Sequence, residues 1–291
     1  MANFLRFFSV LLFLSTPVSS QLNEFFFHGF KDLSTNITLR REAKMEKNSF
    51  LCLTNETSRL QGQAFYSSPI QFKNSTNGQV FSFSTSFALV IVPQYPKLGG
   101  HGLAFTISTS KDLKGRPSQY LGLFNETNTG NFSNHLFAVE FDTVQDFQFG
   151  DIDDNHVGID INSLNSNVSS TAAYFDDSST KQNLNLKSGA PILAWIDYSA
   201  SENLLNVTIS PNSSKPRLPL LSFNVNLSPI FHEFMYIGFS SATGLLSSSH
   251  YILGWSFKIN GEARALDLSF LPPIPDKKKQ TGLYKYQTKT F

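Results

Sequence analysis

Across residues 80–92 the sequence VFSFSTSFALVIV alternates, with Phe81, Phe83, Phe87, Leu89 and Ile91 on one side and mostly small residues on the other. Side chains on a strand point to opposite faces in turn, so a period of two predicts a long half-buried strand here. Similar runs over residues 102–109, 136–142, 192–198, 204–210, 221–227, 235–241 and 251–259 predict further strands. Clusters rich in Asn, Ser, Gly and Pro separate them. No stretch of a dozen residues carries the 3.6-residue repeat of an amphipathic helix. Many strands without crossover helices cannot build a parallel α/β sheet, so the fold class expected is all-β, an antiparallel sandwich or barrel.

Composition narrows this further. The chain has 291 residues, of which 41% are hydrophobic, enough for a packed core. Basic residues number 23 and acidic residues 22. A net charge of +1 gives no field that would gather a polyanion, so neither nucleic acid nor an acidic membrane surface is an expected partner. Phe occurs 29 times while charged residues make up only 15%, a balance that favours strands. The single cysteine, Cys52, excludes an internal disulfide, a Cys-based metal cluster and dithiol chemistry.

Arg6, an apolar run from Phe7 to Leu14, Pro17, and then Val18, Ser19 and Ser20 form the pattern of a secretory signal over residues 1–20, with cleavage before Gln21. Nine Asn-x-Ser/Thr sequons follow, at Asn36, Asn55, Asn74, Asn125, Asn131, Asn167, Asn206, Asn212 and Asn226. Together they predict a secreted, extracellular glycoprotein. No later stretch reaches the roughly 18 consecutive apolar residues that span a bilayer. Residues 21–270 show no break in composition and read as one domain. Pro272, Pro273, Pro275 and Lys277, Lys278 and Lys279 mark a shift to a Pro/Lys-rich tail over residues 271–291.

Candidate chemistry concentrates in residues 136–162, LFAVEFDTVQDFQFGDIDDNHVGIDIN. Glu140 and Asp142 are two apart on a predicted strand, so both carboxylates leave one face. A loop with Asp146, Asp151, Asp153, Asp154 and Asn155 follows, and a strand resumes at His156. Carboxylates converging without a nearby Lys or Arg repel one another unless a cation sits among them. The plainer alternative is an Asp/Asn-rich turn bonded to its own backbone.

Glu140, Asp142, Asp151 and His156 have the spacing of the metal-ligand series of the legume (L-type) lectins, which this chain resembles. AVEFDT, HVGIDIN, IGFSSATG and HYILGWSF resemble that family in order, as does GLAFTIS. AFYSSPIQFK, GWSFKING and LDLSFLPPIP are most similar to the extracellular domains of plant lectin-domain receptor kinases. The resemblance implies a jelly-roll sandwich of the concanavalin type, facing the apoplast, with calcium and manganese as cofactors. Glu140, Asp142, Asp151 and His156 would hold manganese; Asp142, Asp146, Asp151 and the Val144 carbonyl would hold calcium. Hard oxygens suit calcium, and one imidazole among carboxylates suits a first-row metal.

The family's sugar site combines an Asp before GLAF, a Gly before LGLF and an Asn among the calcium ligands. Here those places hold His101, then Ser118 or Gln119, then Asp146. An imidazole does not replace a carboxylate that accepts from two hydroxyls, and Asp146 lacks the N–H that Asn would donate. Weak or altered sugar recognition is therefore expected. Its contacts would come from His101, Gln119, Asp146 and the specificity loop with Ser241, Ala242, Thr243, Gly244 and Leu245. Tyr120, Phe147 and Phe149 flank the same loops and would either form an apolar cleft or anchor the loops to the core, the commoner role of such residues. The resemblance also implies a homodimer through the flat back sheet.

Two other functions compete with a non-catalytic lectin. A receptor ectodomain lacking its membrane span and kinase would bind a peptide or small hydrophobe. A secreted β-glucan hydrolase would need two carboxyl groups about 5 to 5.5 Å apart. Glu140 and Asp142 supply the first two acids of such a motif, but Val144 and Gln145 stand where the last Glu would lie. Catalysis is not expected.

Overall fold

The computed structural model describes residues 23–31 and 35–274. The expected signal segment lies outside them, as does the tail from residue 275 onward. Two large antiparallel sheets face each other. The back sheet runs, from edge to edge, through Leu221–Asn224, Leu204–Ser210, Ile192–Ser199, Phe83–Pro93, Ser248–Ile259, Leu51–Thr54 and Lys44–Met45, with Glu24–Phe27 also paired to Ser248–Ile259. The front sheet runs through Val168–Thr171, His156–Ile161, Phe137–Asp142, Gly102–Ser108, Phe234–Ala242, Gln61–Tyr66 and Ile37–Arg41, with Ile70–Gln71 also on Phe234–Ala242. Helical structure among the described residues is limited to three-residue 3₁₀ turns. The expected all-β jelly-roll sandwich is what the chain forms.

Alternation explains the core. Phe83, Phe87, Leu89 and Ile91 point inward from the central strand Phe83–Pro93. The Phe87 ring centroid lies 5.8 Å from Phe105, which it stacks on, and 5.7 Å from Phe141 and 4.9 Å from Phe239, which it meets edge to face. Much of the large Phe content is spent in this layer, where side chains of the two sheets interdigitate.

The central strand is not half-buried, as its period of two suggests, but buried on both faces along nearly its whole length. Its outer face, with Ala88 and Val90, packs with Phe50, Leu193, Trp195 and Leu253 under a strap formed by the chain after residue 260. Leu266 and Leu271 insert into that layer, and Leu268 and Ile274 pack against it. Ala263 donates its N–H to Ser84 Oγ at 3.0 Å, Leu268 donates to Ser213 Oγ at 3.1 Å, and the Arg264 guanidinium sits 4.1 Å from the Phe26 ring. Packed chain thus continues past residue 270, where the sequence suggests a solvated tail. A homodimer through the back sheet would have to accommodate this strap.

Cys52 is buried, and burial pushes its thiol up to about 11. No helix among the described residues is long and apolar enough to cross a membrane.

Candidate functional site

Strands Phe137–Asp142 and His156–Ile161 pair antiparallel, with His156 opposite Asp142 and Gly158 opposite Glu140. Residues two apart share a face, so Glu140, Asp142 and His156 converge at one end of the front sheet. All three are buried. His156 Nε2 lies 3.4 Å from Glu140 Oε1 and 3.9 Å from Asp151 Oδ1. Its Nδ1 is 2.9 Å from the Asp153 carbonyl, a bond that places a proton on Nδ1 and turns Nε2 toward the carboxylate cluster, where it would offer its lone pair to a bound cation.

The loop after the first strand folds back on its own acids. Asp142 Oδ1 accepts from the Val144 N–H at 2.7 Å, and Asp151 Oδ2 accepts from the Asp146 N–H at 2.7 Å. These turns bring Asp142, Asp146 and Asp151 together as a second potential ligand group, so Asp142 belongs to both groups. The donor set fits the expected pair of ions: one group joins an imidazole to carboxylates and the other offers oxygens alone.

Electrostatics agree. Burial, reinforced by the neighbouring Glu140 charge, holds Asp142 well above the usual carboxylate range. Burial pushes Asp151 up to about 6. For His156 burial opposes the charge, but Glu140, Asp142 and Asp151 outweigh it and raise the imidazole to about 9. Such crowding of acids around one imidazole is relieved by a cation.

Asp160 and Ser166 complete this corner, and the sequence reading missed both. Ser166 Oγ lies 2.8 Å from Glu140 Oε1 and 2.7 Å from Asp160 Oδ1. Asp160 is buried, its Oδ2 has no partner, and burial together with the Glu140 charge raises it well above the ordinary range. The signal was available, since His156, Gly158 and Asp160 share a strand face.

The loops around this corner meet at His101. Its Nδ1 lies 3.1 Å from Asp146 Oδ2, and its carbonyl accepts from the Thr143 N–H at 2.7 Å. Gly244 packs on the imidazole so closely that a Cβ there would stand 2.4 Å from Nε2. Ser118 donates its N–H to the Thr243 carbonyl at 3.2 Å, which joins the loop of Gln119 to the same assembly. Ser118 has φ 62°, a left-handed backbone that glycine adopts more easily.

Other expected contact residues turn inward. Ser241, Ala242 and Thr243 are buried. Ser241 Oγ donates to the Gly102 carbonyl at 2.9 Å and Thr243 Oγ1 to the Thr57 carbonyl at 2.7 Å. Gly244 and Leu245 remain at the turn, with the Leu245 side chain exposed. Tyr120 and Phe149 are buried, with ring centroids 5.6 Å apart, so they anchor loops to the core instead of lining a cleft. Phe147 alone of that trio is exposed.

Of the nine sequons, Asn55, Asn74, Asn125, Asn131 and Asn226 each accept through Oδ1 from the N–H two residues on. Asn167 and Asn212 are exposed and Asn36 is half-buried. Asn206 sits within a strand paired on both sides, and its buried Oδ1 has no partner.

A sandwich whose front sheet carries a double carboxylate and imidazole corner beneath converging loops is the architecture of a lectin-like domain. Residues 22–273 match the legume lectin domain, and the chain belongs to that family. It is 50% identical over 281 residues to the L-type lectin-domain containing receptor kinase V.9 of Arabidopsis thaliana, covering 95% of this chain and 41% of that protein. The chain thus spans about two fifths of the length of the receptor kinases it matches. Among solved structures, lectin II from Ulex europaeus aligns with a TM-score of 0.68 at 29% identity, covering 82% of this chain and 98% of that one. The lectin from Bauhinia forficata in complex with GalNAc aligns with a TM-score of 0.67 at 28% identity, covering 82% and 99%.

Proposed function

We propose that this chain is a secreted, N-glycosylated carbohydrate-binding module, facing the apoplast, whose sugar recognition is altered and weak toward simple monosaccharides. The observation that carries this reading is the His101 to Asp146 contact of 3.1 Å. The family pairs an acceptor Asp with a donor Asn at these places. Here the roles are reversed: the imidazole is the donor and the carboxylate the acceptor, and the two satisfy each other. A hydroxyl entering the site must compete with that contact.

Glu140, Asp142, Asp151 and His156 would hold manganese, and Asp142, Asp146, Asp151 and the Val144 carbonyl calcium. Such ions supply fixed positive charge that locks the loop from Asp142 to His156. No bond-breaking step is assigned: Glu140 and Asp142 are buried, which suits a structural cation site and not hydrolysis of a polysaccharide. The sequons in the Asn-centred turns and the exposed Asn167 and Asn212 are the proposed glycan sites.

A glycan array extended to peptides and small hydrophobes, run with calcium and manganese and again after chelation, tests this reading. The expected result is metal-dependent binding to selected glycoconjugates with little response to simple monosaccharides. Binding confined to peptides would favour the receptor-ectodomain reading, while robust monosaccharide binding would refute the alteration.

A further inference from the structure

The chain has six histidines. His156 faces the carboxylate corner, His101 holds Asp146, His250 is bonded to Thr54, and His28 lies 3.3 Å from the Asp267 carbonyl. The other two, His135 and His232, meet each other, with ring centroids 4.3 Å apart and planes at 67°. His135 is half-buried and His232 exposed. They come together at the end of the front sheet away from the carboxylate corner. His135 lies just before the strand Phe137–Asp142 and His232 just before Phe234–Ala242, and the far ends of these strands carry Asp142 and Ala242. Steps of about 3.4 Å along Phe137–Asp142 put roughly 17 Å between the two ends.

Both rings are held from behind. His135 ends the 3₁₀ turn Phe132–Asn134 with φ 47°, in the left-handed region that a residue other than glycine takes up where its surroundings fix it. Its Nδ1 lies 3.2 Å from the Ile230 carbonyl. A carbonyl only accepts, so Nδ1 carries a proton and the neutral ring presents its lone pair at Nε2. A ring N–H donated to a backbone carbonyl is the support that orients metal-binding histidines. Ile230 is itself fixed, its N–H donating to the Leu227 carbonyl at 3.0 Å, and the buried Phe231 anchors the chain just before His232. Burial, with smaller contributions from His135 and Lys73, holds the His232 imidazole below the ordinary histidine value, and the neutral ring is the form that ligates. Bonds of about 2.0–2.1 Å from an ion to two imidazole nitrogens place the ring centroids roughly 4.5–5 Å apart, so the exposed His232 needs only a small rotation to share an ion with His135. We propose that His135 and His232 form a metal site separate from the carboxylate corner, taking one divalent cation of the nickel, copper and zinc group, with water in the remaining positions. Two imidazoles with no carboxylate between them suit those ions and not calcium, and copper(II) stands highest in that order of affinity. The ion would clip the turn Phe132–Asn134 to the chain entering Phe234–Ala242, whatever the loops at the other end of the sheet bind.

The test uses the full glycosylated chain without an affinity tag, equilibrated with calcium and manganese. Calorimetric titration with copper(II) at about pH 7, where a neutral imidazole predominates, is expected to show one site per chain. The electron paramagnetic resonance spectrum of that copper should carry two nitrogen donors. His135→Gln and His232→Gln should each weaken copper binding at least about tenfold and remove one nitrogen from the spectrum. His28→Gln, at an exposed histidine elsewhere, should change neither. Copper should also raise the melting temperature of the parent and not that of His232→Gln. Because His232 is exposed, its replacement leaves the metal-free melting temperature unchanged, so a loss of binding there reads ligation and not unfolding. Copper bound as tightly by either variant as by the parent overturns the proposal, as does a spectrum with fewer than two nitrogens. Copper that enters only by displacing manganese would assign the imidazole to His156 and overturn it equally.

Discussion

Gly244 lies against the His101 imidazole with no room for a methyl group between them: a Cβ would stand 2.4 Å from Nε2. Gly244→Ala is therefore expected to push the imidazole off Asp146, costing about 1–3 kcal/mol of stability and any affinity that depends on the pair. His101→Ala in the same background should recover most of that stability, since the clash goes with the ring. Denaturant unfolding of the two single variants and the double variant measures this. Additive losses would show that the contact is not the constraint.

Asp142 belongs to both ligand groups, whereas Glu140 belongs to one. Elemental analysis of purified protein should find calcium and manganese, both lost in Asp142→Ala. Glu140→Gln should lose manganese and retain calcium. Chelation should lower the melting temperature, as removal of a ligand bound only by the folded state must. Protein without either ion, melting identically with and without chelator, would contradict the metal assignment.

His250 is buried with Nδ1 2.6 Å from Thr54 Oγ1, and burial, with a smaller contribution from His101, lowers it to about 3. The unfolded chain takes up this proton near the ordinary histidine value while the folded chain refuses it. Stability therefore falls as pH drops through about 6.5 and goes on falling until about pH 3. Between pH 7 and pH 5 the loss from this group is about 2 kcal/mol. Urea unfolding across that range should show His250→Gln losing that much less than the parent. Parallel profiles would show that His250 takes up its proton as readily in the fold as in the unfolded chain.

How much of this was legible in the sequence depended on whether the local pattern matched the local environment. The strand Leu204–Ser210 was read with its true ends because apolar and polar residues alternate between a core and a surface. Ile37–Arg41 and Gln61–Tyr66 were missed: ITLRR has only Ile37 buried, and QGQAFY begins with polar residues that sit in the sheet. Asp142, Asp146, Asp151 and His156 were legible because they lie close together along the chain. The His101 to Asp146 contact was not, since 45 residues separate its partners. Nor was the strap, whose LDLSFLPP reads as a linker until Leu266 and Leu271 are seen against Trp195 and Leu253.

The strap gives its own expectation. Leu266→Ala should destabilise by about 2–4 kcal/mol, the cost of a large-to-small change in a packed layer. Because the strap covers the middle of the outer back sheet, the parent should sediment as a monomer at micromolar concentration. Leu266→Asp, which breaks the cover, should expose the strip of Val90, Leu193 and Trp195 and self-associate. A parent dimer unaffected by Leu266→Asp would place the interface elsewhere.

The central claim is that the reversed pair, His101 as donor and Asp146 as acceptor, alters what the site recognises. The most direct measurement is one glycan array on the parent and on His101→Asp/Asp146→Asn, which restores the family's acceptor and donor at those two positions. The expected result is simple monosaccharide binding gained by the double variant and nearly absent from the parent. Matching profiles with robust monosaccharide binding in both would contradict the claim.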